Sequence, residues 1–172
     1  KIYTLTRGDV FLKPIANYFL RSMCLRPIFR ARDANSAVAR KGNSQTMDEL
    51  YDLFRKNKTI LIFSEGSSFP EKGVRRLRKG TGHIAIDMVK RSDYNLDLHV
   101  VPTALNYSRF GSLMQTIHVS FEKPIVVKEY KEAIEENEKK VAEQFTNQLQ
   151  ESLENNVVIT KGDYSEEKEF LH

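Results

Sequence analysis

Apolar positions along the chain change their spacing several times, and each change predicts an element. Ile2 to Leu5 predicts a short strand, ended by the breaker Gly8. Phe11 to Met23 predicts a helix with Pro14 in its first turn, where a missing N–H costs nothing. Leu25 to Phe29 predicts a second strand, with Pro27 suited to a sheet edge or strand start. Residues 30–45 are polar and small, and they predict a mobile loop. Thr46 and Glu49 then form a capping-box pattern that opens a helix over Met47–Asn57, with Leu50, Leu53 and Phe54 on one face. Thr59 to Phe63 is the strongest strand signal, expected to be buried on both faces. A long basic loop over Ser64–Lys79 leads to a helix over Thr81–Arg91, with Ile84, Ala85, Met88 and Val89 inward. Leu98–Leu105 and Thr116–Val127 predict further strands. Residues 131–155 predict a long amphipathic helix carrying Ile134, Val141, Phe145, Leu149 and Leu153.

Strands alternating with helices imply an α/β fold: a mixed, mostly parallel central sheet flanked by helices. At 172 residues the expectation is one α/β domain over 1–156, including the long helix, followed by a flexible tail over 157–172. A domain of this size buries about 70% of its unfolded surface and needs neither disulfide nor metal. The single cysteine, Cys24, excludes a disulfide framework and a cysteine-based zinc site. No stretch approaches the roughly 18 apolar residues of a spanning helix, and no apolar leader follows Lys1, so a soluble or peripheral chain is expected.

Charge sharpens this picture. The chain carries +4 overall, but residues 1–127 hold 21 Lys/Arg against 11 Asp/Glu and residues 128–172 hold 6 against 12. A body of +10 beside an acidic helix implies an anionic partner for the body: phosphate, nucleic acid or a membrane surface. The basic residues concentrate in one glycine-bounded loop rather than interleaving with strand aromatics, which argues against nucleic acid.

That loop, Phe63-Ser-Glu-Gly-Ser-Ser through Leu77-Arg-Lys-Gly80, is the chemically densest segment. It leaves a strand where ligands of parallel α/β sheets sit, its small residues let backbone N–H groups approach an anion, and the next helix N-terminus adds its dipole. A phosphate-binding loop is the natural reading, and a solvated basic turn the alternative. Sharper motifs fail: the glycine spacing is not that of a P-loop, and Ser67 and Ser68 do not sit in a nucleophile elbow. The four histidines, His83, His99, His118 and His172, show no metal-ligand spacing. His83 and Asp87, one helical turn apart, are a candidate pair.

Phe63-Ser64-Glu65-Gly66-Ser67, then Leu77-Arg78-Lys79-Gly80, then Val101-Pro102, resembles the block order of the PlsC-like glycerolipid acyltransferases. The upstream stretch from Thr6 through Leu25-Arg-Pro-Ile-Phe29-Arg30 is similar to that family's segment leading to a block that ends in arginine. The resemblance covers residues 1–127. It implies transfer of a fatty acyl group from acyl-CoA or acyl carrier protein to a hydroxyl of a lyso-lipid or glycerol phosphate-type acceptor in phospholipid biosynthesis. The base would be the His of an H-x-x-x-x-D block, with no metal or other cofactor. By the same resemblance Arg30 contacts the anionic group of the acceptor. Glu65, Gly66 and Ser67 shape its site, Arg78 supplies charge from the loop, and Lys79 and Gly80 close the far side. Val101 and Pro102 sit near the acyl groove, although a plain core-and-turn role is the other reading.

The chain departs from the family pattern twice. No histidine has an aspartate five positions on, so the block is expected upstream of Lys1 and the 172 residues alone are expected to be inactive. The third block usually reads F-P-E-G-T-R, and here Ser68 stands at the arginine position, which leaves Arg75, Arg76 or Arg78 as substitutes or points to an acceptor without phosphate. Apolar and aromatic residues mixed with Lys13, Arg21 and Arg26 over Phe11–Phe29 suit either an interfacial helix on anionic lipid or a core helix with a basic outer face. A peripheral location on the cytoplasmic face of a membrane follows from the first. The competing function is a non-catalytic domain that binds anionic lipid or phosphate.

Overall fold

The computed structural model describes residues 1–29, 36–66, 73–107 and 116–157. Its first half builds a parallel three-stranded sheet. Strand β1 (Ile2–Arg7) lies in the middle, with β2 (Leu25–Ile28) on one side and β3 (Thr59–Leu61) on the other. A short 3-10 turn over Gly8–Phe11 and helix α1 (Pro14–Ser22) connect β1 to β2, and Pro14 opens α1 as expected. Pro27 sits on an edge strand, where its missing donor breaks no ladder.

Helix α2 (Ser36–Arg55) starts well before the capping pattern. The loop expected over 30–45 is therefore helical from Ser36; residues 30–35 lie outside the described residues. Tertiary contacts override the weak local propensity here. Gly42 lets the helix close on the Phe29 ring, since a Cβ there would collide with it, and Ala39 is buried. The expected cap residues are mid-helical and serve other partners. The buried Thr46 hydroxyl donates to the Pro27 carbonyl at 2.8 Å. Glu49 accepts from Arg21 Nη1 at 2.8 and 2.7 Å and lies 2.8 Å from Arg26 Nε, which ties α2 to α1 and β2.

Asn57, in the left-handed region at φ 52°, ends α2, and the Lys58 N–H donates to the Leu53 carbonyl at 3.0 Å, delivering the chain into β3. The expectation that this strand is buried on both faces is corrected: β3 is an edge strand, with Ile60 and Ile62 against the core and Leu61 and Phe63 exposed.

Beyond β3, helix α3 (Gly80–Arg91) carries the densest core, with Ala85, Ile86, Met88 and Val89 all buried. The two long strands expected over 98–105 and 116–127 are each divided near a proline, which supplies no ladder donor. The first divides into β4 (His99–Val100) and β5 (Thr103–Tyr107) at Pro102, the second into β6 (Ile117–Phe121) and β7 (Ile125–Val126) at Pro124. They pair as antiparallel ribbons, β4 with β7 and β5 with β6, rather than extending the parallel sheet.

Helix α4 (Lys131–Glu154) packs on α3 through Val141, Ala142 and Phe145, and Leu149 is buried further along it. It is broken at Asn137, whose side-chain oxygen caps the second part by accepting from the Lys140 N–H at 3.1 Å. The pair approaches closely at Gly82, where a Cβ would stand 3.1 Å from the Ala142 carbonyl oxygen. Two carboxylates of acidic α4 pair with lysines across this seam, Lys90–Glu138 at 2.5 Å and Lys79–Glu143 at 3.1 Å. The tail expected over 157–172 lies outside the described residues except for Val157 at its start. No helix of the described residues is long and apolar enough to cross a membrane.

This division of labour predicts two unequal substitutions. Leu50→Ala, at a fully buried site, lowers stability by about 2–5 kcal/mol. Glu49→Gln, whose ion pairs are about one-third exposed, costs only about 1–2 kcal/mol. Urea denaturation of the two variants beside the parent chain checks the order.

Candidate functional site

The three parallel strands release the chain at one sheet edge, where α/β folds place their ligands. From β3 the chain turns at once: the Gly66 N–H donates to the Phe63 carbonyl at 3.1 Å, and Gly66 takes φ +68°, a conformation that disfavours a side chain. The far end of the basic loop returns to this turn. The Arg78 N–H donates to the Ser64 carbonyl at 3.0 Å, and the Ser64 and Thr81 hydroxyls lie 2.8 Å apart. The Arg78 side chain runs alongside Gly66, where a Cβ would stand 2.8 Å from Arg78 Cδ and Nε. Gly66 and Arg78 are thus brought together by a backbone clasp and one hydroxyl bridge.

Glu65 is half-buried. Burial pushes its carboxyl above the ordinary glutamate value of 4.5, and the Arg75 guanidinium pulls the other way. Lys79, next to Arg78 in sequence, serves a different surface. It extends to Glu143 on α4, while Gly80 opens α3. A groove of about 390 Å³ runs along this seam, lined by Arg76, Leu77 and Lys79 on one side and Glu143, Asn147 and Gln150 on the other. Both signs of charge line it, unlike a dedicated anion pocket. Arg30, Ser67 and Ser68 lie outside the described residues.

A second cleft of about 240 Å³ opens beside the end of β2, lined by Phe11, Asn17, Arg21, Phe29, Lys41 and Gln45 among others. Its floor depends on residues the sequence reading placed in a loop. The Phe29 ring fills the space left by Gly8 and Gly42, and the Asn43 amide holds both backbone groups of Phe29, accepting from its N–H at 2.8 Å and donating to its carbonyl at 2.9 Å. Phe29 is the residue before Arg30, so Asn43 sets the direction in which the chain leaves β2. The signal for this was faint: two glycines and an asparagine that make sense only once Phe29 is seen between them. Gln150 was missed likewise; its side-chain oxygen accepts from the Leu77 N–H at 2.7 Å, pinning the loop end to α4.

Histidine chemistry is sparse. The Asp87 carboxylate is engaged by Arg91 Nε at 2.8 Å rather than by His83. His99 Nε2 lies 3.3 Å from Asp97, but both are exposed and Lys128 holds the same carboxylate at 2.6 Å. Among the described residues no group of three His, Cys, Asp or Glu side chains could hold a metal ion.

Comparison with known proteins places this geometry in context. The family described as Acyltransferase matches residues 1–106. Among solved structures, the chain is similar to the crystal structure of the 1-acyl-sn-glycerophosphate (LPA) acyltransferase PlsC from Thermotoga maritima, at 16% identity and a TM-score of 0.43. That alignment takes in 86% of this chain and 56% of the Thermotoga protein, so the chain spans little more than half of its length. No curated protein sequence matches the chain significantly.

Two outcomes follow from the clasp. Gly66→Ala forces a side chain into the left-handed region and displaces Arg78, lowering stability by about 1–2 kcal/mol, read as a lower urea midpoint. Glu65 gives a pH signature. Between 4.5 and its raised value the folded chain holds more proton on Glu65 than the unfolded chain does, so its contribution to stability falls as pH rises through that interval. Subtracting the Glu65→Gln stability profile from that of the parent chain, over about pH 4 to 7, isolates a difference that declines with pH.

Proposed function

The chain belongs to the acyltransferase family, and from that membership we propose that these residues form the acceptor-binding part of a glycerolipid O-acyltransferase. In this reading a fatty acyl group passes from acyl-CoA or acyl carrier protein to a hydroxyl of a lyso-lipid or glycerol phosphate-type acceptor. The acceptor hydroxyl loses its proton to a base and attacks the thioester carbonyl. The thiolate of the donor leaves and takes up a proton, and no group on the protein is acylated.

The observation that carries the proposal is the clasp after β3, which sets the Arg78 side chain against Gly66, next in sequence to Glu65, at the carboxyl end of the parallel strands. A guanidinium there suits an anionic headgroup, because its planar fork donates to two oxygens at once. Burial raises the Glu65 carboxyl above its ordinary value, and its oxygens can accept hydrogen bonds from the acceptor. Arg30 and Ser67 complete the acceptor site in this reading, and Lys79 with Gly80 bounds it through the start of α3.

No histidine of the 172 residues precedes an aspartate by five positions. We therefore assign to these residues the binding of the acceptor and not the removal of its proton. The same absence favours the second reading, a domain that binds anionic lyso-lipid without turnover.

Calorimetric titration of the chain with lysophosphatidic acid, beside a thiol-release assay with acyl-CoA, tests the proposal. Saturable binding without thiol release is expected. Arg78→Ala should weaken that binding about tenfold, the loss of one charge-assisted hydrogen-bonding group. Absence of binding overturns the acceptor-site assignment, and thiol release overturns the assignment of the base elsewhere.

A further inference from the structure

The groove at the α3–α4 seam is lined by polar groups, most of which already have partners. Its α4 wall is one stripe at helical spacing, Glu143, Asn147, Gln150 and Glu154. Lys79 pairs with Glu143 at 3.1 Å. The Leu77 N–H donates to Gln150 Oε1 at 2.7 Å, and the Gln150 amide donates to Glu154 at 2.6 Å. Thr146 Oγ1 turns back to the Ala142 carbonyl of its own helix, also at 2.6 Å. Two lining side chains, Arg76 and Asn147, have no hydrogen bond or ion pair among the described residues, and both are exposed. The groove therefore offers a ligand one guanidinium and one amide, with the half-buried side chain of Val74 beside them.

These free groups and the length of the groove define a ligand chemistry. From Glu143 to Glu154 the helix rises about 16 Å, so the site is elongated. A flexible chain that carries a phosphate at one end and neutral amides along its length suits it. The phosphate takes the planar fork of Arg76, and a ligand amide pairs with the Asn147 amide, which both donates and accepts. Phosphopantetheine has that constitution: a phosphate, a dimethyl carbon that suits Val74, amides, and a terminal thiol that bears the acyl group. It is the arm common to acyl-CoA and acyl carrier protein. We propose that the α3–α4 groove binds the phosphopantetheine arm of the acyl donor, with Arg76 on its phosphate and Asn147 on an amide of the arm. The inference rests on the acyl-transfer reading and gives the donor its place in it. Lys79 meets Glu143 and Leu77 meets Gln150, so the loop end runs antiparallel to α4 and Arg76 lies toward the Glu154 end. The thiol end of the arm then points toward the start of α3, beside the clasp of Arg78 and Gly66.

Amide NMR of the isotope-labelled chain tests this and separates the two donors. Phosphopantetheine and coenzyme A both shift the Asn147 side-chain amide and the Leu77 N–H, and adenosine bisphosphate, which lacks the arm, shifts neither. A shift with holo acyl carrier protein but not with its apo form supports the groove with carrier protein as donor, and a shift with coenzyme A alone supports it with acyl-CoA. Arg76→Ala weakens phosphopantetheine binding about tenfold and Asn147→Ala about threefold, the loss of a charge-assisted and of a neutral hydrogen-bonding group. Circular dichroism melts of both variants match the parent chain, because neither side chain is buried. Lysophosphatidic acid keeps its affinity for Asn147→Ala. The proposal is overturned if phosphopantetheine shifts neither signal, if adenosine bisphosphate shifts them as strongly as coenzyme A, if both variants bind phosphopantetheine as the parent does, or if Asn147→Ala loses lysophosphatidic acid to the same extent. A parent chain that binds phosphopantetheine in the groove and no lysophosphatidic acid supports the donor site and overturns the acceptor assignment alone.

Discussion

Burying α3 against α4 is the constraint from which the rest of the site follows. Ala85, Ile86, Met88 and Val89 on one side and Val141, Ala142 and Phe145 on the other join in one apolar cluster. The two backbones approach closely only because residue 82 is glycine. That contact fixes where α3 begins, and the loop end at Leu77–Lys79 is fixed with it, through Gln150 on the Leu77 N–H and the Ser64–Thr81 hydroxyl bridge. Arg78 reaches Gly66 because a rigid helix pair holds one end of a long loop against the turn that begins it. Ordering a long basic segment would otherwise cost far more entropy than its few contacts return.

The other half of the molecule is held in a different way. Around α1 the interior partners are Glu49, Arg21 and Arg26, and the apolar side chains face out. Two arginines on one carboxylate, each only partly exposed, fix orientation more than they add stability. The consequence is a helix whose position is specified by hydrogen-bond geometry while its hydrophobic surface remains available.

Much of the site could be read before any fold was known. The Glu65-Gly66 turn after an apolar strand, the basic residues returning before a helix, and the order of these blocks are local in sequence and carry their chemistry with them. The structure sets the Arg78 side chain against Gly66, and it sends Lys79 to Glu143. Nothing local distinguishes the two adjacent cations. Which one faces the turn is decided by the direction of the chain as it enters α3, and the carboxylate that claims Lys79 lies on a helix more than sixty residues away.

Element types were determined by the sequence alone wherever apolar spacing was long and regular: β1, α1, α3 and the span of α4 all follow from periodicity and from proline and glycine placement. The misread elements share one cause. Thr46 and Glu49 form a convincing local cap, yet the Pro27 carbonyl and the two arginines outcompete it, and α2 runs on to Ser36 because Phe29 packs against Gly42. Strand β3 has the composition of a central strand and lies at an edge, because composition reports how apolar a segment is and not how many neighbours pair with it. The amphipathy of α1 was visible in sequence, but its polarity relative to the core was not. A periodic stripe has no inside until tertiary contacts choose one, and here the Arg21–Glu49 clamp chose the polar face.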